Sequence, residues 1–222
     1  MPAPTPNRSM TRLLIVCLAI EFSCGYACAR KAVPLAAAAT QDKDKKQDKK
    51  EDDKKDKKDD KEAQKIDVRN NAASLLADLL GDEKNVSKLL IIKHSSPQTA
   101  QLIKTISKTA DDGGKQLDAL AKADNALKLD AMQLPPGEKD ARDAESKTEE
   151  HELLFSSGVT FEFNLLLTQA EALNYGSHLA KVAADNSSAP EAQREFHSLE
   201  TSLNDLYERV VARMRSLPQS KT

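Results

Sequence analysis

The chain has 222 residues, of which 31% are charged and 4% aromatic, with seven Gly and no Trp. So few glycines and aromatics disfavour a turn-rich β-sandwich, and abundant Ala, Leu, Lys, Glu and Asp favour helices. The formal charge of −2 hides an asymmetry. Residues 1–65 hold 15 Lys+Arg against 11 Asp+Glu, whereas residues 66–222 hold 18 against 24. An acidic folded part argues against nucleic acid as a partner.

The N-terminal segment reads as an address. Arg12 precedes the apolar run at residues 13–20, and small residues follow up to Ala27, Cys28 and Ala29. This is the charged, apolar and small-x-small order of a secretory signal peptide over residues 1–29. Glu21 interrupts the run, which falls short of the roughly 20 apolar residues that a membrane span needs. A lipid on Cys24 or Cys28, tethering the protein to a membrane, is the alternative reading. Cys17, Cys24 and Cys28 are the chain's three cysteines. Cleavage after Ala29 would leave no thiol for a disulfide, a zinc ligand or a nucleophile. The expected destination is the periplasm or cell envelope.

Residues 30–65 read as a linker. Residues 41–65 contain 11 Lys, 10 Asp or Glu, and nothing apolar larger than one Ala. Such a segment cannot bury enough surface to offset its ordering entropy, so a flexible polyampholyte is expected.

Helical periodicity begins after Lys65, and residues 66–222 read as one bundle domain. Asn71 is placed as a cap for a first helix through Leu80, with Gly81 as punctuation. Residues 86–93 are apolar enough for a strand, but their flanks favour a helical turn or two. Ser95, Ser96 and Pro97 open the next helix, and Gln98 stands three after Ser95 as in a capping box. Leu102, Ile106, Ala110, Gly113, Leu117 and Leu120 form its stripe, and the Gly113–Gly114 pair marks a close helix approach or a kink. A charged helix at residues 138–155 follows Leu134, Pro135, Pro136 and Gly137. The helix at residues 159–184 is expected to bury Phe163, Leu166, Leu167, Ala170 and Leu173. Ser188 to Glu191 reads as a second capping box, before a stripe of Phe196, Leu199, Leu203, Leu206, Val210 and Met214. Short connections between such helices predict an all-α, antiparallel four-helix bundle.

The order of Ser95-Ser96-Pro97, Leu134-Pro135, Gly158 with Phe161, and Ala189-Pro190-Glu191 resembles the exported ferritin-like bundles called domain of unknown function 4142, over roughly residues 70–215. The resemblance implies a four-helix fold, placement in the envelope and no established activity. Family members often carry a core His on each of three helices; the matching positions here, near Ala110, Leu173 and Leu206, are apolar.

No chemistry-bearing constellation is legible. Ferritin-like di-iron sites need Glu-x-x-His pairs. The residues three before His94, His151, His178 and His197 are Ile91, Thr148, Tyr175 and Arg194. Phosphate-loop, dinucleotide and nucleophile-elbow motifs are absent from the sequence. Asp111 and Asp112 beside the Gly pair, and Glu171 beside an apolar stripe, are the metal candidates, each explained as well by a polar helix face. The expectation is therefore a non-catalytic, cofactor-free envelope module that binds an envelope protein or component. A metal-binding bundle and a small-ligand carrier are the alternatives.

Overall fold

The computed structural model describes residues 48–218. Residues 1–29, read as a signal peptide, all three cysteines and residues 30–47 lie outside them. The described residues form helices and connections, with no strand among them. The helices are α1 (Asp48–Glu83), α2 (Leu89–Ile92), α3 (Pro97–Ala123), α4 (Glu138–Phe155), α5 (Gly158–Asp185) and α6 (Pro190–Arg215), with a 3₁₀ turn at Val86–Lys88 before α2. From Lys65 onward the described residues form one compact unit.

α1 begins at Asp48 and corrects one expectation, because it runs through Asn71 and Gly81 to Glu83. Acid and base stand four apart in the sequence, as in Glu51 with Lys55 and Asp53 with Lys57, a spacing that supports a helix. The costly nucleus is supplied by the packed turns downstream, where Ala72, Ala73, Leu76, Leu79 and Leu80 are buried. Asn70, not Asn71, is the buried amide. It donates to the Ala126 carbonyl at 3.0 Å and accepts the Lys128 N–H at 3.3 Å. Arg69 pairs with Asp124, the residue that ends α3, at 2.9 Å.

α3 carries its expected stripe: Leu102, Ile106, Ala110, Gly113, Leu117 and Leu120 are all buried. Gly113 marks a close approach. A Cβ there would stand 2.9 Å from a Leu199 methyl on α6 and 3.2 Å from one of Leu80 on α1. Gly176 of α5 plays the same part against Leu203 and Leu79. The Cβ-less positions thus let α1 and α6 lie close to both α3 and α5.

The start of α3 differs by one residue from the expected one. Ser96 is the N-cap and accepts the Thr99 N–H, with Pro97 in the first turn. Pro disfavours helical backbone in the residue before it, which places Ser96 in the extended conformation that a cap requires. Ala189 likewise replaces Ser188 as the N-cap of α6 and supplies no side-chain cap. The loss of about 1 kcal/mol is small beside the roughly 1.5–3 kcal/mol gained per large apolar side chain buried. Phe196, Leu199, Leu203, Leu206 and Val210 all face the core.

The first half of α5 carries apolar residues on several faces, so periodicity alone does not choose its inner face there. Phe161, Leu165, Leu166, Ala170, Leu173, Gly176 and Ala180 are buried. Phe163 and Leu167, expected in the core, stay 45% and 38% exposed. α4 lies on α5 through Arg142, whose guanidinium sits 5.7 Å from the Tyr175 ring centre while pairing with Glu138. Its buried residues are Ser146 and Leu153.

Candidate functional site

The metal candidates from the sequence do not come together. Asp111 and Asp112 project outward from α3 and pair with Lys115 and Lys108 at 2.6 and 2.5 Å, in the i,i+4 pattern of a solvated helix. The Lys108 ammonium holds the Asp112 carboxyl below the usual carboxylate range. Glu171 is half-buried on α5, away from that pair. Among the described residues, no group of three or more His, Cys, Asp and Glu converges on a point where a metal ion would sit.

Three arrangements stand out instead. The first is a polar cluster at the start of α3. Glu162 of α5 accepts hydrogen bonds from the Ser96 N–H, the Ser96 hydroxyl at 2.8 Å and the Thr99 hydroxyl at 2.6 Å. Arg213 of α6 donates to Thr99, Ser96 and Glu162 at 3.0, 2.8 and 3.1 Å. Partial burial raises the Glu162 pKa. The donors from Thr99, Ser96 and Arg213 outweigh it and hold the carboxyl below its usual range. Every member is partnered, so the cluster ties three helix ends together.

The second is a buried carboxylate that the sequence reading missed. Glu83, in the last turn of α1, is 9% exposed, and its Oε2 has no hydrogen-bond partner among the described residues. Gln169 of α5 is fully buried, and neither of its amide atoms has a partner. Burial pushes the Glu83 carboxyl up to about 8, helped by the charges of Asp82 and Glu149; the Gln169 amide, near it but outside hydrogen-bond geometry, pulls weakly the other way. Glu149 of α4 rises to about 7, first through burial and then through Glu145, Glu171 and Glu152. A carboxyl raised as far as that of Glu83 favours its protonated form near neutral pH. Gln169 was legible in principle, since it falls at helical spacing within the Leu165, Ala172 and Gly176 stripe. Glu83 was hidden by ending the helix at Leu80.

The third is a groove of about 490 Å³ between α5 and α6, lined chiefly by Phe163, Leu167, Tyr207, Val211 and Met214. Glu171, Asn174 and Arg215 supply its polar edge. An apolar trough with a few polar groups is the usual form of a binding surface. Compared with protein-family models, curated proteins and solved structures, the chain finds no match.

Proposed function

We propose that the chain is a non-catalytic, exported module of the cell envelope that binds a protein partner through the α5/α6 groove. The observation that carries the reading is the exposed apolar patch on the first half of α5, ahead of the polar Asn174, His178 and Lys181 on its solvent side. Phe163 and Leu167 remain exposed there, beside the groove. The reading of residues 1–29 as a signal peptide supports export.

The bundle is read here as an antiparallel four-helix core of α1, α3, α5 and α6, with α4 laid on α5. The Arg69–Asp124 pair, the Ser96–Glu162–Arg213 cluster and the close approaches at Gly113 and Gly176 support this pairing. That architecture agrees with the resemblance to exported ferritin-like bundles.

A photo-crosslinking side chain placed at Leu167 in cells tests the proposal. One discrete crosslinked species is expected, and it should be lost when Val211→Glu is added. Crosslinking no stronger at position 167 than at exposed Lys181 would overturn the reading.

A further inference from the structure

α4 is held to the bundle by little apolar surface. It buries two of its 18 residues, Ser146 and Leu153, whereas α3 buries nine of 27 and α6 six of 26. What α4 turns toward the other helices is largely acidic. Arg142 packs over the Tyr175 ring of α5 at 5.7 Å, which fixes the register of the two antiparallel helices. One and two turns further along α4, Glu145 and Glu149 face Glu171, one turn before Tyr175 on α5. Behind Glu149 stands Glu83 of α1, 9% exposed and with Oε2 unpartnered. Gln169 of α5, beside it, is fully buried with both amide atoms unpartnered. Asp82 of α1 and Glu138 and Glu152 of α4 add charge at the margins. Facing cations stand at the two ends of this seam. Arg142 pairs with Glu138 at 2.8 Å, and Lys93 donates to the Ser156 carbonyl at 3.1 Å.

The backbone around α4 has the parts of a hinge. The preceding loop is tied to α1, because Ser74 accepts the Ala131 N–H at 2.9 Å and Asn71 the Gln133 N–H at 2.7 Å. Between that anchor and the helix lies Gly137, at φ 84°. The corner into α5 turns on Gly158, at φ 58°. A Cβ at either glycine would meet nothing within 4 Å, so both can change backbone conformation without a steric penalty. Lys93 holds the Ser156 end and makes it the pivot.

We propose that α4 is a strap that docks while the carboxyls of this seam are protonated and lifts away, with the rest of the bundle intact, as they ionise. In the docked state burial favours the uncharged acids, and neighbouring carboxylates add to it. Glu83 is raised to about 8 and Glu149 to about 7, and Glu145 moves in the same direction. Docking is thus fully supported below the ordinary carboxylate value and loses that support as pH rises through about 7 to about 8. Glu171 also edges the α5/α6 groove, but the inference does not use the groove, so either reading can fail alone.

Hydrogen exchange read by mass spectrometry on the full-length protein tests the strap, with rates corrected for the intrinsic effect of pH. Between about pH 5.5 and about pH 8.5, protection of residues 138–155 should fall at least about tenfold. Residues 102–120 of α3 and 196–210 of α6 should stay protected at the upper pH. Glu83→Gln with Glu149→Gln should keep α4 protected at both, and Glu149→Gln alone should move the loss to higher pH. Equal protection of α4, α3 and α6 at the upper pH would mean that α4 opens only with the whole bundle, and would overturn the proposal. So would an α4 unprotected at both pH values, or a loss that persists unchanged in the double variant.

Discussion

Glu162 on α5 accepts the backbone N–H of Ser96, the N-cap of α3, from 66 residues away. In a local capping box, that N–H is taken by a Glu or Gln three residues into the same helix. Thr99 occupies that place here and donates its hydroxyl to Glu162 instead. The box is completed by another helix, and Arg213 of α6 neutralises the carboxylate that completes it. A local cap has become a tertiary contact.

Glu162→Gln should destabilise the domain at neutral pH by about 1–3 kcal/mol, because charge-assisted hydrogen bonds to four donors are weakened together. The folded Glu162 pKa lies below its ordinary value. Its contribution is therefore present above the unfolded pKa and is lost as pH falls through the folded one. The difference between urea melts of wild type and variant should shrink as pH falls below the ordinary carboxylate range. A difference that stays constant throughout acid titration would show that the charge is not the source.

Glu83 acts in the opposite sense. Its folded pKa is raised from 4.5 to about 8, so the folded state holds the proton more tightly than the unfolded chain. The stability is fully present below the unfolded value and declines as pH rises toward the folded one. Wild-type stability should fall by a few kcal/mol from pH 5 to pH 8, at about 1.4 kcal/mol per pKa unit. Glu149, raised to about 7, adds a smaller slope of the same sign. Glu83→Gln should flatten most of this dependence and exceed wild type in stability at pH 8. An unchanged slope in the variant would refute the assignment.

The two adjacent glycines of α3 should answer oppositely to Ala. At Gly113 the new Cβ meets Leu199 at 2.9 Å and Leu80 at 3.2 Å, whereas at Gly114 it meets nothing within 4 Å. Gly114→Ala should stabilise by about 0.5–1 kcal/mol through helix propensity. Gly113→Ala should lose that gain and destabilise by about 1–3 kcal/mol as α6 is pushed away. Chemical denaturation of the two variants side by side reads the difference. Equal responses would mean that the helices do not approach at Gly113.

Asp111→Asn with Asp112→Asn removes three exposed ion pairs, to Lys108 and Lys115. No measurable change in Tm is expected, because pairs between solvent-exposed side chains contribute little. Metal content after incubation with Mn²⁺ or Ca²⁺ should also match wild type. A lower metal content in the double variant would restore these residues as a site.

Legibility in the sequence followed the contrast between apolar and polar residues. The stripes of α3 and α6 alternate sharply, so their buried residues could be named in advance. α5 offers apolar residues on several faces, so Phe163 and Leu167 could not be told from Leu165 and Leu166 until α1 and α6 had chosen a side. The cap of α3 was read one residue early because Ser95 and Ser96 are chemically alike, and the deciding partners lie on α5 and α6. Asp111 and Asp112 were visible as a pair, but their engagement with Lys108 and Lys115 is a matter of which way α3 faces.

By itself, the sequence determined the helical class, most helix ends and the stripes of α3 and α6, because period, Pro and Gly act over a few residues. Only the tertiary structure decided that Glu83 is buried beside Gln169, that Glu162 caps α3, and that Ile91, Ile92 and Phe155 stand in solvent. Each of these depends on which residues distant in sequence come to lie beside it. Burial and hydrogen bonding are properties of the assembled neighbours, and helical periodicity does not encode them.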